Sequence, residues 1–163
     1  MLFPPRSVDL ARELLAACEK RKLRLATAES CTGGLVIACL TEIPGSSNVV
    51  ERGYVTYDND AKAEVLGVPV ALLERVGAVS EEVAKAMAEG ALARAGASLA
   101  IATTGIAGPG GATPTKPVGL VHIAVASRLQ GTRHERHLLT GDRAAIRLAT
   151  VDAALKLALA SLA

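Results

Sequence analysis

Apolar residues recur at helical spacing at the start of the chain. Val8, Ala11, Leu15 and Cys18 form one face of an amphipathic helix ending near Lys20–Lys22. Leu23–Ala28 reads as a short strand that runs through Glu29-Ser30-Cys31-Thr32-Gly33-Gly34 into an apolar helix over Leu35–Thr41. Pro44-Gly45-Ser46-Ser47 has the composition of a turn. Val49–Tyr57 follows as a strand rich in β-formers. Asp58-Asn59-Asp60 offers N-caps to a short helix carrying Ala61, Val65 and Leu66, which Gly67 stops. Ser80 caps a longer helix with Glu81 and Glu82 in its first turn and Val83, Met87 and Ala91 on one face. Leu99–Thr103 and Val118–Ala126 read as buried strands, and Arg133–Leu139 as a charged edge strand. Asp142 caps a last helix with a stripe of Leu148, Val151, Leu155, Ala158 and Leu162.

Helices alternate with strands early in the chain, whereas the last strands follow one another directly. Direct links favour antiparallel pairing, so the pattern predicts an α/β fold: a single three-layer α/β/α domain over residues 1–163 with a mixed sheet. The composition fits that picture, with 163 residues, half of them apolar and 21% charged. A net charge of +2 and only one Phe, two Tyr and no Trp argue against nucleic acid as a partner. Three cysteines, Cys18, Cys31 and Cys39, without a C-x-x-C pair point to a reducing, cytoplasmic setting rather than a zinc ribbon or a disulfide framework. No signal-peptide pattern opens the chain, and no apolar run reaches the roughly 20 residues of a membrane span, so no membrane role is expected.

Polar residues cluster where strands give way to loops, the usual place for sites in α/β proteins. The run Ser30-Cys31-Thr32-Gly33-Gly34 would aim free backbone N–H groups and a helix N-terminus at an anion; a plain capped turn has the same composition. Thr104-Gly105 opens a long glycine- and proline-rich connection to Pro117, in which Gly105 would let a ligand approach the backbone and Thr104 would point at it. Ser46 and Ser47, Tyr57 and Lys62 form a third group. A serine needs a base to become a nucleophile, and the three histidines lie away from every glycine-rich turn. Lys62 could serve if its pKa were lowered; its place in a first helical turn helps, while Asp58 and Asp60 oppose. Taken alone, a solvated lysine and a turn serine look the same. His134-x-x-His137 is a weak metal pattern, since those side chains of a strand point to opposite faces, and no metal or other cofactor is expected. Arg143, at the start of the last helix, suits a phosphate or a carboxylate.

These blocks, taken in order, resemble the C-terminal domain of the competence/damage-inducible CinA proteins, a family that includes nicotinamide-nucleotide amidases. The resemblance rests on Ala28–Gly34, Pro44–Ser47, Glu51–Tyr57, Ala61-Lys62, Leu66-Gly67-Val68, Gly77–Ser80, Thr104–Pro109, Lys116–Gly119 and Gly141-Asp142-Arg143. It implies an α/β/α homodimer that hydrolyses the carboxamide of nicotinamide mononucleotide. Ser47 and Lys62 would then be nucleophile and base, with Tyr57 beside them and Ser30 as a further participant. Thr32, Gly33, Gly34, Thr104, Gly105 and Arg143 would bind the substrate. Asp58 departs from the serine expected there and adds negative charge near Lys62. The rival reading is a non-catalytic nucleotide-binding domain tied to competence or DNA-damage responses.

Overall fold

The computed structural model covers Met1–Ala163. Its elements in chain order are α1 (Pro5–Lys20), β1 (Leu25–Glu29), α2 (Leu35–Thr41), a 3-10 turn (Ser46–Asn48) and β2 (Val50–Val55). There follow α3 (Asn59–Leu66), α4 (Val70–Val76), α5 (Glu81–Arg94), β3 (Leu99–Gly105), β4 (Leu120–Ser127), β5 (Gly131–Leu138) and α6 (Arg143–Ala160). One five-stranded sheet has the order β2-β1-β3-β4-β5. β1 pairs in parallel with β2 and β3, whereas β3–β4 and β4–β5 are antiparallel. The mixed sheet and the three layers are those the sequence predicts. Element ends differ by a residue or two. The exception is α4, which the sequence reading lacks: Pro69 is its N-cap, and its short run Val70-Ala71-Leu72-Leu73 shows no helical period.

The caps form as the side chains dictate. Asp58 accepts from the N–H of Asp60, Ser80 from Val83 and Asp142 from Ala145, which fixes the starts of α3, α5 and α6. Gly67 ends α3 at φ 69°, a left-handed conformation that glycine adopts without strain.

The two faces of the sheet are built differently. Leu99, Ile101, Val121, Ile123 and Val125 point to the layer of α1, α2 and α6, a face of large aliphatic residues. Ala100, Ala102, Ala124 and Ala126 point the other way, toward Ala84, Met87, Ala88 and Ala91 of α5. Small residues on both sides let α5 lie close to the sheet. The same economy appears at Gly90, where an added Cβ would sit 2.0 Å from the backbone oxygen of Leu66 at the end of α3. Replacing Gly90 with Ala should therefore lower the urea midpoint, despite a helix-propensity gain of about 1 kcal/mol. The clash is with backbone that cannot swing aside, and overpacking of this kind costs about 1–3 kcal/mol and can exceed that range. An unchanged or higher midpoint would show that α3 moves freely on α5.

The crossovers set the position of the cleft. β1 connects to β2 through α2 on one face of the sheet, and β2 connects to β3 through α3, α4 and α5 on the other. The chain thus departs to opposite sides from neighbouring parallel strands, leaving a crevice beyond their C-terminal ends. No helix is long and apolar enough to cross a membrane.

Candidate functional site

Beyond the C-terminal ends of β1, β2 and β3 lies a cleft of about 370 Å³. Ser30 and Cys31 enter it from the end of β1, Tyr57, Asn59 and Lys62 from the β2–α3 junction. Thr104 and Gly105 close β3 beneath it, the loop from Ile106 to Gly111 forms one wall, and Arg143 comes from the start of α6.

Lys62 is the unusual residue. It is 1% exposed, yet it makes no ion pair; its Nζ donates to the backbone oxygen of Tyr57 at 2.9 Å. Burial pushes its pKa below the ordinary lysine value, with Asp58 pulling the other way as the second influence. Desolvation wins, so the opposing effects named from the sequence resolve toward the neutral amine. The Ser30 hydroxyl, 8% exposed as a residue, approaches the same Tyr57 oxygen at 3.5 Å, a weak contact that leaves it free to engage another partner. One carbonyl therefore gathers the amine and the hydroxyl at the floor of the cleft.

Other polar groups are partly committed. Thr104 donates its hydroxyl proton to the backbone oxygen of Ala78 at 2.9 Å, leaving lone pairs for a ligand. Arg143 donates through Nη1 to the oxygen of Gly108 at 2.8 Å and through Nη2 to the Tyr57 hydroxyl at 3.2 Å. The N–H groups of Ala107, Gly108, Gly110 and Gly111 donate to no backbone carbonyl and border the cleft. Those of Arg143 and Ala144 are likewise free at the positive end of α6. Burial raises the Cys31 thiol to about 12, so a neutral thiol lines the wall.

Two sequence expectations fail on geometry. Thr32, Gly33 and Gly34 do not reach the cleft, because the anion at that helix start is the protein's own Glu29 carboxylate. Glu29, fully buried, accepts from Thr32 Oγ1 at 2.5 Å and from the N–H groups of Gly34, Val36 and Ile37 at 3.1, 3.0 and 2.9 Å. The turn binds an anion as its composition suggests, but an internal one. Nor does the fold bring Ser47 to Lys62 within one chain. Ser47 is exposed in the 3-10 turn before β2, whereas Lys62 follows β2, and six residues of strand at ~3.3 Å each hold the two at opposite ends of the sheet. Asn59 is a cleft residue that the sequence reading used only as a cap. Its signal was its place one turn before Lys62 at the helix start. His134 and His137 separate: His134 meets His122 at 2.8 Å between ring nitrogens, and His137 meets Glu135.

Fold and cleft together define a class: a doubly covered α/β/α domain with its site at the crevice between diverging parallel strands, floored by a buried lysine and a serine. Comparison with known proteins places it more narrowly. The chain belongs to the CinA C-terminal domain family, whose model matches residues 7–162. It is 51% identical over 146 residues to a CinA-like protein of Akkermansia muciniphila, a match covering 90% of this chain and 35% of that protein. A putative competence-damage inducible protein of Desulforudis audaxviator is 51% identical over 138 residues, covering 85% of this chain and 33% of its own. The chain thus spans about a third of the length of these curated relatives. The crystal structure of the competence/damage inducible protein CihA from Agrobacterium tumefaciens superposes with a TM-score of 0.96 at 50% identity, covering 99% of this chain and 98% of that one. A CinA superfamily protein from Klebsiella pneumoniae gives 0.92 at 36% identity, with 96% and 97% covered.

Proposed function

We propose that this domain hydrolyses the carboxamide of nicotinamide mononucleotide to nicotinate mononucleotide and ammonia. The observation that carries the reading is the buried, unpaired Lys62, its amine gathered with the Ser30 hydroxyl on one carbonyl at the cleft floor. A binding module has no use for a lysine whose charge is disfavoured; a general base does. Neutral Lys62 takes the Ser30 proton as the Ser30 oxygen bonds to the carboxamide carbon, and the free N–H groups of the Ala107–Gly111 wall receive the oxyanion. The resulting ammonium returns its proton to the departing nitrogen, the C–N bond breaks, and ammonia leaves. Water, deprotonated by the same amine, then splits the acyl ester and restores Ser30. Arg143 and the α6 N-terminus suit the phosphate at the far end of the substrate.

A second reading keeps Ser47 as the nucleophile, supplied by another copy of the chain. It is favoured by β2 being an edge strand, paired only with β1. Two such edges joined antiparallel about a two-fold axis would lay the start of one β2 beside the end of the other, and so one Ser47 near the other Tyr57. The two readings separate in an ammonia-release assay on nicotinamide mononucleotide. If Ser30 attacks, Ser30→Ala loses about a thousandfold or more while Ser47→Ala stays near wild type. If Ser47 acts between copies, Ser47→Ala and Lys62→Ala are each inactive, and their mixture recovers activity because one site in each mixed dimer is whole. Near wild-type ammonia release from both serine variants would overturn the covalent mechanism altogether.

A further inference from the structure

Tyr57 is 61% exposed although its hydroxyl is pinned by Arg143, which is itself tied to Gly108. The side chain thus belongs to a strap joining the β2–α3 junction, α6 and the loop after β3, with its ring left largely bare. It is the only aromatic residue lining the cleft; of the other two in the chain, Phe3 is buried among residues of α1, α2 and α6 and Tyr54 lies within β2. Ile106, Ala107 and Val79 supply apolar surface to the same cleft. An exposed flat ring and aliphatic side chains thus line the same cleft. The electron-rich face of a phenol favours a planar cation, which a pyridinium is and an anionic sugar phosphate without an aromatic ring is not.

We infer that the Tyr57 ring is the specificity element of the cleft, stacking on a planar, positively charged heteroaromatic ring of the substrate. This rests on the nucleotide reading above and adds what selects the ring. The buried Lys62 would oppose such a cation if charged, and the disfavoured charge on that amine removes the conflict. Arg143 lies at the other end of the strap, at the start of α6, where it suits the substrate phosphate.

Tyrosine emission gives a readout independent of turnover, because the chain has no Trp and only two Tyr. In a Tyr54→Phe protein, Tyr57 is the only emitter. Nicotinate mononucleotide, whose ring is a pyridinium, should quench it saturably, and ribose 5-phosphate should not. Calorimetry with the same two ligands on Tyr57→Phe and Tyr57→Leu adds the affinity. The phenylalanine variant keeps the ring and should bind nicotinate mononucleotide within about threefold of wild type, whereas the leucine variant should lose about tenfold. Ribose 5-phosphate should bind both variants alike. Equal losses in the two variants would mean that only the hydroxyl matters, through Arg143, and would overturn the stacking role. So would a leucine variant that weakens ribose 5-phosphate as much as the nucleotide. These failures would leave ammonia release by the wild-type protein untouched, whereas a wild-type protein that binds nicotinate mononucleotide not at all would sink the nucleotide reading and the ring inference with it.

Discussion

On the proposed amidase mechanism, replacing Lys62 with methionine will nearly abolish ammonia release and, at neutral pH, make the protein more stable. The rate falls because the only base at the cleft floor is gone; general bases typically contribute 10²–10⁴-fold, so a loss of about a thousandfold is expected. Arginine in its place should be as inactive, since a guanidinium does not give up its proton. Stability moves the other way because Lys62 is buried without a counter-ion, and methionine fills similar space without a charge. Its pKa in the folded protein lies below the ordinary value of 10.5. Between the folded and unfolded values the unfolded chain binds more protons, so wild-type stability falls as pH drops through that window and is level below it. The methionine variant lacks this dependence. Its advantage in melting temperature, about 2–4 °C for each kcal/mol in a chain of this size, should be largest near pH 7 and shrink by pH 10. Calorimetric melts at both pH values test it. A constant gap would show that Lys62 is accommodated in its charged form.

Glu29→Ala should be the most damaging substitution to the fold. The carboxylate is completely buried and holds the N-terminus of α2 through three N–H groups and the Thr32 hydroxyl. Hydrogen bonds to a charged acceptor contribute about 1.5–3 kcal/mol each, less when they act together. Alanine also leaves the N–H of the buried Val36 without an acceptor, so a total loss of about 4 kcal/mol is expected, read as a lower urea midpoint with little change in slope. In melting temperature this corresponds to a fall of about 10 °C. Glutamine keeps one carbonyl oxygen but turns an NH2 toward donors, and should fall between alanine and wild type. Because Ser30 follows Glu29 directly, the alanine variant should also lose ammonia release, whereas Gly90→Ala, farther from the floor, should show its effect first in stability. A Glu29→Ala protein as stable as wild type would mean that α2 does not depend on this cap.

Much of this architecture is legible along the chain, for local reasons. Asp58, Ser80 and Asp142 each bond to N–H groups two or three residues on, so their sequence neighbourhood already contains the whole interaction. The buried strands Leu99–Gly105 and Leu120–Ser127 declare themselves as nearly unbroken apolar runs. Tyr57, Lys62, Thr104, Gly105 and Arg143 stand out because they sit where strands end, and parallel strands bring their ends together. Ser30 stood out for the same reason, but nothing local ranks it against Ser47. Both are small hydroxyls within three residues of a glycine, and the length and direction of β2 decide which of them shares a floor with Lys62.

The chain by itself determined the element order, the mixed sheet, the caps and the positions at which chemistry could occur, because each follows from contacts within a few residues or from a simple period. Only the tertiary structure decided three things. It gave the glycine turn after β1 to the internal carboxylate of Glu29, stripped Lys62 of solvent and ion-pair partners, and sent Ser47 to the far end of the sheet. Each depends on what surrounds a side chain in space. Desolvation and strand direction come from residues far apart in sequence, and no local pattern encodes them.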